Sequence, residues 1–172
     1  MFGLIDSKTK RRALYLLVLL AVHLLQTTRG LLPRPWGVAV NLYPWLICAM
    51  AFSDGPYAGG LYGAFAGLLL AVGSGTPEGL DAALYGLYGL LCGCGAASFL
   101  RREYTTVLAC GSLLSLIRCL LGWLVWYGLF YGAPLGSYLL TWFIGLAVSA
   151  ALSLPAHLLL RAIARRYHED AL

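Results

Sequence analysis

The chain has 172 residues, 60% of them hydrophobic and 11% charged. A soluble domain carries roughly 25% charged residues, so this composition excludes an ordinary soluble fold and points to a polytopic membrane protein built as one domain over residues 1–172. The net charge of +5 does not signal nucleic-acid binding, because the basic residues stand at the ends of apolar runs, where positive-inside anchoring accounts for them.

The first apolar run, about Ala13 to Thr27, follows Lys8, Lys10, Arg11 and Arg12. That positive start resembles a signal peptide. However, Leu25-Gln-Thr-Thr-Arg29 stands where small cleavage-site residues would be needed, so the segment is expected to remain as a membrane helix. His23 near its far end is expected to hydrogen-bond a neighbouring helix in preference to carrying protons. Arg29 to Trp36 holds two prolines and a glycine and reads as an interfacial loop anchored by Trp36. A second run begins at Trp36 or at Pro44 and ends by Asp54-Gly55-Pro56. Counted from Trp36 it has about 17 residues, the lower limit for spanning; from Pro44 it is too short.

The stretch from Gly59 to Gly93 is the most informative. Gly59, Gly63, Gly67 and Ala71 recur every fourth residue and form one small-residue stripe on a third helix, Tyr57 to Val72. Gly79, Ala82, Gly86, Gly89, Gly93 and Ala96 alternate spacings of three and four, a heptad seam of small residues on a fourth helix, Leu80 to Leu100. Glycine costs about 1 kcal/mol against alanine in a soluble helix. In membrane helices it lets backbones approach closely. Two tightly packed helices joined by the turn Gly73 to Glu78 are therefore expected.

Arg101-Arg102-Glu103 makes the next turn, and a fifth span follows from Tyr104 to Tyr131 with Arg118 about halfway along. After Gly132-Ala-Pro-Leu-Gly136 comes a sixth span, Ser137 to Leu160, where Pro155 signals a kink or a helix end. A polar, basic tail closes the chain. The expected fold is an all-α transmembrane bundle of about six spans with both termini on one side. Nine of the twelve Lys and Arg residues lie on that side, which makes it cytoplasmic. Trp123, Trp126, Tyr127 and Tyr131, with Tyr138 and Trp142 across the turn, then form an aromatic belt at the opposite interface.

Chemistry-bearing constellations are scarce. No HExxH, G-x-S-x-G or phosphate loop occurs, and the glycine series has no strand before it, so no enzyme is expected. Five cysteines, Cys48, Cys92, Cys94, Cys110 and Cys119, all lie in apolar runs. They read as small packing residues, the C-x-C pair lacking His or acidic partners; no metal or cofactor is expected. Two polar features remain. A mid-membrane arginine costs at least ~2.5 kcal/mol, so Arg118 should find an acid, an anionic lipid headgroup or a partner helix. Glu78 and Asp81 suit a helix N-terminus, and Asp81 at the helix end lies shallow for an arginine in mid-span.

Gly59, Gly63 and Gly67-Leu68-Leu69, a short polar turn, then Gly79, Ala82, Tyr85, Gly86 and Gly89, with Pro44 before the second helix and Pro155 before a basic tail, form a recognisable series. It resembles the MreD family of rod-shape-determining membrane proteins, in outline over most of the chain and at motif level over residues 44 to 95. Leu70, Ala71 and Val72 depart from the family pattern, in which an acidic residue is common there, and Arg118 has no family counterpart. The resemblance implies a non-enzymatic inner-membrane subunit of the bacterial elongation complex. Its partners would be membrane lipids, MreC-like and MreB-like proteins, the glycosyltransferase RodA and its class B transpeptidase. The competing reading is the substrate-binding S subunit of an energy-coupling-factor vitamin transporter, also a six-helix protein of this size. Glu78, Asp81, Arg34 and the tryptophans could line its pocket. The Ala-x3-Ala docking motif expected on the first helix of such subunits is missing, Ala13 and Ala21 being eight apart.

Overall fold

The structure, a computed structural model, describes residues 7–28, 40–74, 79–98, 103–124 and 135–169. Among them are six α-helices and no strand: α1 Ser7–Thr27, α2 Tyr43–Asp54, α3 Pro56–Ser74, α4 Leu80–Ser98, α5 Tyr104–Gly122 and α6 Leu135–Glu169. The protein is an all-α bundle. Leu80–Ser98, Tyr104–Gly122 and Leu139–Arg165 are long and apolar enough to cross a membrane, and Pro56–Val72 is a shorter apolar helix.

The helical part of the second run is shorter than a full span: a 12-residue helix opened by Pro44 in its first turn. At about 1.5 Å per residue it is about 18 Å long, short of the roughly 30 Å hydrocarbon core. Trp36 lies outside the described residues. The segment Tyr-Pro-Trp-Leu-Ile-Cys-Ala-Met-Ala-Phe is apolar on every face, and each of these ten residues is buried. A helix without a polar face belongs inside a protein. α2 is the axis of the core, touched by α1, α3, α4, α5 and α6. Gly55 then reverses the chain at φ 88°, ψ −178°, a conformation open essentially to glycine alone, and Pro56 starts α3.

α3 and α4 form the closest helix pair and run antiparallel. A Cβ at Gly59 would lie 2.6 Å from the Gly89 carbonyl oxygen and 2.6 Å from the Ala51 Cβ of α2. At Gly63 it would strike the Tyr85 carbonyl, at Gly67 the backbone of Asp81 and Ala82, at Gly89 the backbone of Gly59, and at Gly93 that of Pro56. Two seam residues differ from expectation. Gly86 stands at the margin, where an added Cβ would meet the Ala64 Cβ at an ordinary 3.4 Å. Gly79 is not a packing residue: it precedes α4 at φ 101°, and a Cβ there meets nothing within 4 Å, so the turn requires the glycine.

α6 departs from the sequence boundaries, and α5 is described only in part. The α-helical part of α5 runs to Gly122, Trp123 and Leu124 continue it with wider π-type turns, and the rest of the expected fifth span lies outside the described residues. α6 runs through Pro155 without ending there. Proline has no N–H for the carbonyl one turn back, and neighbouring hydroxyls support such a turn in membrane helices. The carbonyl left without that donor is that of Ala151; one residue earlier, the Ala150 carbonyl accepts from Ser153 Oγ at 2.7 Å and from the Tyr104 hydroxyl at 3.2 Å, which links α6 to α5. Trp142, placed in an aromatic belt by sequence, donates its indole N–H to Ser115 Oγ at 3.0 Å and ties α6 to α5.

These contacts predict different tolerance at two glycines of the same motif. Gly63→Ala should destabilise the detergent-solubilised protein by about 1–3 kcal/mol, because rigid backbone must move. Gly86→Ala should be neutral or slightly stabilising, since it gains up to about 1 kcal/mol of helix propensity. Equal unfolding midpoints for the two variants would show that the tight register is wrong.

Candidate functional site

The glycine seam fixes the two α4 residues around which a polar cluster is built. Gly67 packs on the backbone at Asp81, and Gly63 packs on the carbonyl of Tyr85 one turn later. The two side chains share a helix face. Arg118 of α5 meets Asp81 with both arms: Nε donates to Oδ1 at 3.1 Å and one terminal nitrogen to Oδ2 at 3.2 Å. Asp81 keeps 6% of its side-chain exposure and Arg118 keeps 31%. A bidentate guanidinium–carboxylate pair is the strong form of such a contact. Asp81 stands in the first turn of α4, and the contact is made despite the depth mismatch inferred from sequence. Glu78 lies outside the described residues.

Around this pair, Tyr85 is fully buried, and its hydroxyl accepts from Asn41 Nδ2 at 2.7 Å. Asn41 uses its other side-chain atom to receive the Tyr43 N–H at 3.2 Å, helping to start α2, and its own backbone N–H reaches Ser149 Oγ of α6 at 3.2 Å. Tyr43 shares a 2.8 Å hydrogen bond with His23 of α1, the interhelical role expected for that histidine. The Tyr43 and Tyr85 rings meet edge to face with centroids 6.5 Å apart. Five helices thus converge on one end of the bundle through polar contacts.

A second cluster, which sequence reasoning missed, closes the opposite end of α2. Asp54 has no side-chain exposure and pairs with Arg11 of α1. Its Oδ2 accepts from the Tyr62 hydroxyl at 2.6 Å. An acid at a helix C-terminus opposes the helix dipole. The pairing with Arg11 and Tyr62 offsets that cost. The signal was Asp54 itself, an acid in an otherwise apolar run, passed over as a turn residue.

The cysteines also form a group that sequence spacing hid. Cys48 of α2, Cys92 of α4 and Cys110 of α5 hold their sulfur atoms within 4.8 Å of one another. Neither cysteine pair closest in sequence makes this group: Cys94, two residues from Cys92, is exposed, and Cys119 is buried elsewhere. On α5, Gly111 makes room for the Trp45 indole, since a Cβ there would lie 2.6 Å from the ring.

No family model, no curated protein and no solved structure matches the chain.

The ion pair yields a double-mutant test. Arg118→Leu leaves the Asp81 carboxylate buried without its main counter-charge, a change that costs about 3–5 kcal/mol in fully buried pairs. The exposure of Arg118 places the expected loss at about 3 kcal/mol or less. Asp81→Asn combined with Arg118→Leu should recover most of it, measured as unfolding free energy in detergent. Additive losses in the double variant would contradict direct pairing.

Proposed function

We propose that this protein is a membrane scaffold of the MreD type. In this reading it joins MreC-like and MreB-like proteins to RodA and its class B transpeptidase in the bacterial inner membrane, with both termini cytoplasmic. The observation that supports it is the use made of the motif residues. Of the residues that carry the resemblance, Gly79 serves a turn and Gly86 stands at the margin, whereas Gly59, Gly63, Gly67, Ala82, Tyr85 and Gly89 are places where α3 and α4 touch backbone to backbone. They make a rigid frame and fix the buried Asp81–Arg118 pair on it.

The opposite side of the same helix pair suits a partner helix. Tyr57, Gly60, Leu61, Gly86, Leu87 and Leu90 line an open apolar groove floored by the two glycines. Tyr57, Leu61 and Leu87 are largely exposed. In lipid, hydrophobicity does not drive two helices together; close approach over small residues does. A glycine-floored groove between larger apolar walls provides that geometry for the span of a bitopic partner. The frame-and-groove arrangement fits a protein that positions others.

Depletion in a rod-shaped bacterium should round and swell the cells, and the protein should co-purify with an MreC-like partner. Gly60→Phe, whose Cβ would meet the Gly86 carbonyl and the Leu90 Cβ at an ordinary 3.5 Å, should reduce co-purification several-fold while lowering the unfolding midpoint less than Gly63→Phe does. Normal rods together with a vitamin retained through purification would replace this reading with the transporter subunit.

A further inference from the structure

We propose that Cys48, Cys92 and Cys110 form a three-sulfur binding site for a trivalent thiophilic metalloid, entered by neutral arsenous acid. The three thiols come from α2, α4 and α5 and converge within 4.8 Å, with sulfur as the only donor type. A trivalent metalloid carries a lone pair and is pyramidal, so three bonds of about 2.3 Å, the length of a typical metal–thiolate bond, hold its sulfurs roughly 3.5 Å apart. Closing from the present spacing therefore takes side-chain rotation and no helix movement. The Tyr88 hydroxyl is buried beside Cys92, where its O–H can donate to that sulfur.

Charge selects the kind of ion. Metal ligation requires thiolates, and the site sits among apolar helices where net charge is costly. Three thiolates around a monovalent ion leave two negative charges, and around a divalent ion one. Around a trivalent centre they leave none. Arsenous acid, As(OH)3, is itself uncharged and so reaches an apolar interior without shedding a tightly held hydration shell. The reaction is a substitution without electron transfer. Three As–O bonds break and three As–S bonds form, and the three thiol protons leave with the three hydroxides as three waters. Access runs by way of Cys110, the half-buried member, since Cys48 is fully buried and Cys92 is 5% exposed. The product ties the core helix α2 to both α4 and α5 and should raise stability by ordinary linkage.

The test uses the full chain with Cys94→Ala and Cys119→Ala. Of the five cysteines this leaves only Cys48, Cys92 and Cys110. Held reduced by a phosphine in detergent and given arsenite, this variant should gain one arsenic less three protons per chain by native mass spectrometry. X-ray absorption should show a first shell of three sulfurs. A further Cys110→Ser change should abolish uptake while helicity by circular dichroism is retained. If that triple variant fails to fold, the three-sulfur shell in the double variant still carries the assignment. No uptake by the double variant, or a shell that contains oxygen or fewer than three sulfurs, would overturn the proposal.

Discussion

The approach of α3 to α4 without intervening side chains is the constraint on which the rest of the bundle depends. Lipid tails are as apolar as leucine, so a membrane helix gains little by exchanging lipid for another leucine. Close packing and interhelical hydrogen bonds are the remaining sources of specificity, and glycine is the residue that permits the closest packing. Gly59, Gly63, Gly67, Gly89 and Gly93 each occupy a place where a Cβ would collide with backbone across the seam. The register they impose sets Asp81 and Tyr85 where Arg118 and Asn41 reach them. It also sets the edge against which α2 is buried, through Ala51 at Gly59 and Ile47 at Gly89. A single steric rule thus passes from sequence spacing to helix pairing and on to the position of a buried charge.

α2 shows what that frame has to hold. A 12-residue helix with all of Tyr43–Phe52 buried cannot present its ends to water along its own length. Its polar ends are satisfied instead by neighbours: Asn41 and His23 at its start, Arg11 and Tyr62 at its finish. In an apolar surrounding an unpaired polar group is expensive, so these contacts fix the ends of α2 as firmly as packing fixes its middle.

Much of the fold was legible because its signals are periodic. The fourth-residue glycines gave the α3–α4 pair, the basic clusters and turn residues gave the element order, and a polar residue in an apolar run drew attention to Arg118 and His23. The losses have specific causes. Arg118 reads as mid-span and Asp81 as shallow, and depth along each helix does not reveal that the guanidinium reaches across to the first turn of α4. Gly79 fits the heptad spacing but meets the different demand of a left-handed turn. The α2 run, apolar on every face, carries no periodicity by which its length could be judged. Pro155 carries a strong local stop signal, yet α6 runs on through it to Glu169. The Cys48–Cys92–Cys110 group and the Arg11–Asp54 pair join residues remote in sequence, and no local pattern records them.

The α3–α4 register can be measured directly by disulfide trapping. An ideal Cβ at Gly60 would lie 3.5 Å from the Leu90 Cβ, at the short end of the disulfide range of roughly 3.5–4.5 Å. With the five native cysteines replaced, Gly60→Cys with Leu90→Cys should close to a disulfide nearly completely under mild oxidation in membranes. The pair shifted by one residue, Leu61→Cys with Leu90→Cys, should close poorly. Absent cross-linking in the first pair, or equal cross-linking in both, would contradict a glycine seam in the register described.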